Sequence, residues 1–195
     1  MMTKTGLFFG SFNPIHNGHL SLAKNLVELS DLEEIWFVVS PQNPLKKKNG
    51  LLADYQRLAL VKLAIEEYSF LKACDIEFTM PRPSYTIDTL TLLAKKYPDR
   101  QFILVMGSDG LEKFACWKNH EQITRQFTRY IYPRPGTPPS LLQNIPNAKI
   151  IEAPRMDISS TIIRESLSKG ENVSSFLPPK VYNEIINNQL YRNIF

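Results

Sequence analysis

Residues 10–20 read Gly10-Ser11-Phe12-Asn13-Pro14-Ile15-His16-Asn17-Gly18-His19-Leu20. The apolar run Leu7-Phe8-Phe9 precedes this stretch. Leu20, Ala23 and Val27, with Leu22, Leu26 and Leu29, follow it at helical spacing. The pattern is a strand, a glycine-bearing turn and a helix. At such a turn Gly10 and Gly18 let backbone N–H groups approach an anion closely, and the helix N-terminus adds a favourable dipole. Two of the chain's three histidines, His16 and His19, lie in this turn. Imidazoles so placed can donate hydrogen bonds to phosphate oxygens and to charge developing in a transition state. The plainer alternative is a capped helix start with two surface histidines. Coincidence of strand, glycines and paired histidines favours the anion site.

Working outward, short apolar runs alternate with helical patterns. Ile35-Trp36-Phe37-Val38-Val39, Phe102-Ile103-Leu104-Val105-Met106 and Tyr130-Ile131-Tyr132 read as strands, with Ile76-Glu77-Phe78 and Ile150-Ile151 as weaker candidates. Their hydrophobicity is continuous rather than alternating, which predicts strands covered on both faces. Asp54 is placed to cap a helix carrying Leu58, Val61, Ile65 and Tyr68. Thr86 to Tyr97 carries Leu90, Leu93 and Ala94 on one face, and Pro98 stops it. This rhythm predicts an α/β fold: a doubly wound, mostly parallel sheet with helices on both faces and ligands beyond the strands' carboxyl ends. Pro133 to Pro139 reads as a stiff loop. Beyond it, about residues 158–195 form a small helical part. Ser159-Ser160-Thr161 opens one helix that Gly170 closes, and Pro178-Pro179 opens another with Val181, Tyr182, Ile185 and Ile186 inward.

Composition narrows the classes. The chain has 195 residues, 43% hydrophobic and 11% aromatic, so it can hold one core; residues 1–195 are expected to form a single domain. No apolar run approaches the ~20 residues of a membrane span, and the N-terminus has too short an apolar stretch for a signal peptide. Cys74 and Cys116 alone make neither a disulfide framework nor a zinc site, and a reducing cytoplasm fits best. A net charge of +4 hints at an anionic ligand without arguing for nucleic acid. A homo-oligomer is left open. The chain has no G-x-G-x-x-G after a strand, no G-x-x-x-x-G-K-S/T and no H-E-x-x-H, which disfavours a dinucleotide oxidoreductase, a P-loop enzyme and a two-histidine metal site.

A second element supports the first. In Ile158-Ser159-Ser160-Thr161-Ile162-Ile163-Arg164, three hydroxyl residues open a helix and leave free N–H groups. Ser160 and Thr161 lie on the face of Arg164, giving hydroxyls, backbone donors and a guanidinium suited to a triphosphate. An ordinary N-cap with a solvated arginine is the alternative.

Together these segments resemble the nucleotidyltransferase superfamily: Gly10 to Leu20 is similar to its G-x-F-x-P-x-H-x-G-H loop, and Ile158 to Arg164 to its I-S-S-T-x-I-R element. Pro83-Ser84-Tyr85-Thr86-Ile87-Asp88-Thr89-Leu90 resembles the S-Y-T-x-D-T-L segment of bacterial nicotinate-nucleotide adenylyltransferases. Gly107-Ser108-Asp109, Trp117-Lys118 and Arg134-Pro135-Gly136 match later elements of that family. The chain departs from it at Phe9 before Gly10, at Asn13 where Asp is frequent, and at Asn43-Pro44-Leu45-Lys46 where P-P-H-K is usual.

The resemblance implies transfer of adenylyl from ATP to nicotinate mononucleotide by direct in-line attack, with no covalent enzyme intermediate. It implies Mg²⁺ bound through substrate phosphates, with no protein metal ligands. His16, His19 and Arg164 would be catalytic. ATP would contact Gly10, Ser11, Phe12, His16, Gly18, His19, Lys46, Gly107, Asp109, Ile158, Ser159, Thr161 and Arg164. Nicotinate mononucleotide would contact Ser11, Phe12, Lys46, Tyr85, Thr86, Trp117, Lys118 and Arg134. Asp109 could instead cap a helix, Trp117 could be a core aromatic, and Arg134 could merely stiffen its loop. The competing expectations are another small nucleotidyltransferase, such as the phosphopantetheine enzyme, or a non-catalytic nucleotide-binding regulator.

Overall fold

A computed structural model describes residues 2–41, 51–154 and 158–192. Strands β1 (Thr3–Gly10), β2 (Glu34–Val39), β3 (Leu71–Cys74), β4 (Arg100–Gly107), β5 (Arg129–Tyr132) and β6 (Ala148–Ile150) form one sheet in the order β3-β2-β1-β4-β5-β6. Every pairing is parallel, with Leu7 opposite Trp36 on one side and Leu104 on the other. Helices α1 (Asn17–Glu28), α2 (Asp54–Ile65), α3 (Thr86–Lys96), α4 (His120–Gln126), α5 (Ser160–Ser168) and α6 (Pro179–Asn187) connect or follow the strands. Among the described residues, no helix is long and apolar enough to cross a membrane.

Alternate side chains in the middle of β1, β2 and β4 enter different cores, so apolar residues are needed at consecutive positions there. Phe8, Ile35, Phe37, Ile103 and Val105 pack with α1, α2, α5 and α6. Leu7, Trp36, Val38, Phe102 and Leu104 pack with α3 and α4. Fully burying one such side chain is worth about 1.5–3 kcal/mol.

The chain runs outward from β1 through β2 to β3, then crosses back to β4 on the other flank of β1. Loops leaving β1 and β4 therefore diverge to opposite faces. The resulting crevice lies beyond Gly10 and Gly107, where such sheets bind ligands.

Several local expectations need correcting. Ile76–Thr79 is a 3₁₀ turn rather than a strand, and the edge strand is Leu71–Cys74. That strand has only four residues with Lys72 exposed, so it leaves little hydrophobic signal. Ala53 precedes α2 as its cap position, and Asp54 is the first helical residue. Leu29 and Ile186 are exposed, whereas Val181 and Ile185 of α6 are fully buried.

At the amino edge of the sheet, Glu34 is buried. It ion-pairs with Arg100 and, at 2.8 Å, with Lys72, and accepts hydrogen bonds from Thr5 Oγ1 at 2.8 Å and Trp36 Nε1 at 2.9 Å. This cluster joins the starts of β1, β2, β3 and β4. Removing the carboxylate would strand the largely covered Arg100 guanidinium, so Glu34→Ala is expected to cost about 3 kcal/mol. Chemical denaturation checks this. A loss below about 1 kcal/mol would show that the cluster behaves like an exposed pair.

Candidate active site

The β1–α1 loop starts at a glycine for a steric reason. A Cβ built on Gly10 would lie 2.7 Å from Phe12 Cζ. Phe12 adopts a left-handed backbone (φ 45°), and its ring is buried edge-on against Phe8 and Phe37. Its side chain is therefore a plug under the loop, closed to a ligand. Gly18 gives His16 room: an added Cβ would come within 3.1 Å of that ring and 3.6 Å of Ile158 Cβ.

His16 occupies the N-cap position of α1 and stacks on His19, with ring centroids 3.7 Å apart. The His16 backbone N–H donates to His19 Nδ1 at 3.3 Å. In a neutral His19, this contact leaves Nε2 carrying the proton, as a donor. Burial, and secondarily the charge of Arg134, pull the His16 pKa from 6.5 down to about 4. His16 is thus a neutral imidazole near pH 7, and its Nδ1 is buried without a hydrogen-bond partner among the described residues.

Helix α5 sits directly on this loop. Ser160 Oγ donates to the Pro14 carbonyl at 2.9 Å, and Arg164 Nη1 donates to the Asn13 carbonyl at 2.8 Å. Arg164 Nη2 reaches the exposed Thr161 Oγ1 at 3.4 Å. The Ser159 hydroxyl is used as the helix cap, accepting from Ile162 N at 3.2 Å. The two sequence segments thus meet. Of the hydroxyls at 159–161, only that of Thr161 is left to face solvent.

Across the crevice, Gly107 ends β4 where any Cβ would collide with Asp109 Oδ1 at 2.3 Å and press on Arg134 at 3.2 Å. Arg134 donates to the Tyr132 hydroxyl at 3.2 Å and lies 3.9 Å from the exposed Asp109 carboxylate. Phe8 touches Tyr132, Phe12 and His19, and so joins the two sides.

A cavity of about 640 Å³ opens at the carboxyl ends of the strands, lined by Gly10, Ser40, Tyr85, Thr86, Gly107, Asp109, Trp117 and Lys118 among others. Tyr85 caps α3 and Thr86 begins it. Lys118 Nζ is held 2.7 Å from Asp88 Oδ2 and 4.9 Å over the Tyr85 ring, so its charge is already partnered. Trp117 packs on Phe114 as a partly buried core aromatic and also lines the cavity. Ser11 is half-buried at the loop's start. Lys46 falls outside the described residues.

Four contributors escaped the sequence reading. Buried Glu77 accepts from Ser84 Oγ at 2.7 Å and Thr89 Oγ1 at 2.8 Å, and so anchors the turn that presents Tyr85 and Thr86. The paired hydroxyls flanking that turn were a signal that a buried acceptor was needed. Tyr132 and Tyr191 gave no signal beyond apolarity. Arg57 did: it lies three and four residues before Leu60 and Val61, on the buried face of α2.

Comparison with known proteins decides the family. The cytidylyltransferase-like family profile matches residues 7–166. A relative from Flavobacterium johnsoniae, described as a "probable nicotinate-nucleotide adenylyltransferase", is 48% identical over 97% of this chain and 99% of its own. The chain belongs to the nicotinate-nucleotide adenylyltransferases, within the cytidylyltransferase-like family. A Cytophaga hutchinsonii relative of the same description is 44% identical over 97% of this chain and 99% of its own. The fold of this adenylyltransferase chain superposes on Plasmodium falciparum nicotinic acid mononucleotide adenylyltransferase complexed with NaAD, with a TM-score of 0.82, 23% identity and 97% of each chain covered.

Depression of the His16 pKa carries a stability signature. Between pH 6.5 and about 4 the unfolded chain binds a proton that the folded chain does not, so stability falls as pH falls through that window and is complete above it. Lowering the pH from 7 to 5 should cost about 2 kcal/mol through this residue. Denaturation at both pH values, with His16→Asn beside the parent, isolates it. An equal pH dependence in the two proteins would contradict the buried neutral imidazole.

Proposed function

We propose that the cleft transfers the adenylyl group of ATP to nicotinate mononucleotide, releasing pyrophosphate and nicotinate adenine dinucleotide. One observation carries this reading: the histidine loop and the start of α5, distant in sequence, are hydrogen-bonded to each other beside a cavity at the switch point of the sheet.

The incoming mononucleotide phosphate is already ionised, so in-line attack on the ATP α-phosphorus needs no protein nucleophile. What the protein supplies is position and charge. Holding both reactants in line can contribute on the order of 7–11 kcal/mol. His19 Nε2–H and the neutral His16 ring donate to phosphate oxygens as charge redistributes. Arg164, whose Nη2 lies beside Thr161, neutralises the leaving pyrophosphate with that hydroxyl, and Gly18, Ile158 and Ser159 shape its bed. Gly10, Ser11 and Phe12 offer backbone to both substrates. Asp109, exposed beyond Gly107, accepts from the ATP ribose or adenine.

The acid end of the pyridine meets the backbone N–H groups that open α3 at Thr86, where the helix dipole favours a carboxylate. Trp117 stacks on the ring. With its ammonium committed to Asp88, Lys118 contributes through its backbone and by fixing Tyr85. Arg134 faces the mononucleotide phosphate.

No three His, Cys, Asp or Glu side chains gather to hold a metal among the described residues. Mg²⁺ would enter as part of the MgATP substrate, held mainly through the nucleotide phosphates, whose charge it would spread. We place the chain in the cytoplasm, where its two free thiols remain reduced.

Pyrophosphate release with ATP and nicotinate mononucleotide, run beside nicotinamide mononucleotide, tests the reading. Turnover is expected with both and faster with the acid. No release with either overturns adenylyl transfer to pyridines, and preference for the amide overturns the Tyr85–Thr86 pocket. In the same assay His19→Ala should lower kcat by about 10²–10³. An unchanged rate removes His19 from the reaction.

A further inference from the structure

Arg57 of α2 has no exposed surface. Its hydrogen bonds run to backbone carbonyls: Nε to Leu52 at 3.0 Å, Nη1 to Ser11 at 2.6 Å and Ser40 at 2.9 Å, and Nη2 to Pro41 at 3.3 Å. No carboxylate is within bonding distance of the guanidinium among the described residues. The nearest acid acting on it is Asp54, whose carboxylate is held by Arg82 at 2.7 Å. A buried cation without a hydrogen-bonded acid is expensive, and an apolar side chain of similar volume commonly serves stability as well or better. A role that an apolar residue cannot fill would account for a cation in this position.

The four carbonyls belong to the loop leaving β1, the loop leaving β2 and the lead-in to α2. Gly10 and Ser40, from the first two of these, line the cavity. A carbonyl turned inward has a defined consequence. In a trans peptide the C=O of one residue and the N–H of the next point in opposite directions, so drawing the Ser11 oxygen onto Arg57 aims the Phe12 N–H away from the guanidinium. The same contacts take acceptor oxygens off the surface that an anion would meet, and leave a positive charge behind it. A second tie works alongside: Asn13 Oδ1 accepts from the Leu52 N–H at 3.2 Å, fastening the lead-in of α2 to the β1 loop.

We infer that Arg57 is a positioning residue for phosphate binding, gathering the carbonyls of two strand-end loops and the lead-in of α2 behind the cleft so that donors, and not acceptors, face the ATP phosphates. This rests on the adenylyl-transfer reading of the site. It reaches beyond that reading by assigning the charge-binding power of the loop to a side chain that never touches substrate. Arg rather than Lys is required, because only the planar fork reaches several carbonyls at once.

Calorimetric binding of ATP and of adenosine to the 195-residue chain separates this role from general support of the fold. The variants are Arg57→Gln and Arg57→Lys, each studied below the onset of its own thermal melt. In Arg57→Gln the ATP dissociation constant should rise about tenfold or more, the effect of losing hydrogen bonds made by a charged group. In Arg57→Lys, which keeps the charge and loses the fork, it should rise about threefold or more, while adenosine binding changes less than about twofold in both. Should Arg57→Gln fail to fold, Arg57→Lys decides alone. A folded variant that binds ATP like the parent, or one that loses ATP and adenosine in equal measure, overturns the inference. A parent chain that does not bind ATP overturns the adenylyl-transfer reading, and this inference with it.

Discussion

The site depends on the hydrogen bond from Arg164 to the Asn13 carbonyl and its companion from Ser160 to the Pro14 carbonyl. Helix α5 and the β1–α1 loop are far apart in sequence, and these bonds bring the helix start onto the loop. Asn13 extends the joint. Its side-chain oxygen accepts from the Tyr191 hydroxyl at 2.9 Å and from the Leu52 N–H, so one residue ties the loop to the end of the chain and to the lead-in of α2. Tyr191 is buried, and burial pushes its hydroxyl pKa upward, so it remains a donor throughout the range in which the protein works. A loop held by so many directed bonds can keep its glycines and its strained Phe12 in one conformation. Preorganised donors of this kind are what phosphoryl chemistry needs.

The molecule separates its polar work between the two edges of the sheet. At the amino edge, Glu34 and Arg100 compensate each other within a closed network that leaves nothing for a ligand. At the carboxyl edge the balance is deliberately incomplete. Arg57 meets carbonyls instead of acids, Arg164 spends one nitrogen on Asn13, and the Nδ1 of His16 is buried without a partner among the described residues. Unbalanced polar groups weaken a fold; several lie at the crevice between β1 and β4, and buried Arg129, whose Nε is also unpaired among the described residues, is a further case at the start of β5.

Much of this was legible in the sequence because the fold's signals are local. Continuous apolar runs announced two-faced strands, and the glycines and histidines of residues 10–20 marked a phosphate-type turn. The edge strand Leu71–Cys74 escaped because a four-residue strand interrupted by exposed Lys72 has no apolar run, and Ile76–Thr79 imitated one because Ile76 and Phe78 pack against the two cores without pairing. Site chemistry was readable where a residue's type implies its task, as with His19, Thr161 and Arg164. It was not readable where the task is set by a partner far along the chain. Nothing near Lys118 in sequence states that Asp88 already holds its charge, and nothing near Glu77 states that Ser84 and Thr89 converge on it. Arg57 did leave a local clue, as a cation on an apolar helix face, and the hydroxyls of Ser84 and Thr89 hinted at a buried acceptor without naming it.

The most direct measurement is a crystal structure with ATP bound. The joining of the two segments predicts triphosphate density between the His16–His19 pair and the Thr161–Arg164 face, with the Asn13 and Pro14 carbonyls still bonded to α5. Phosphates lying elsewhere in the cleft, with Arg164 making no contact to them, would contradict it.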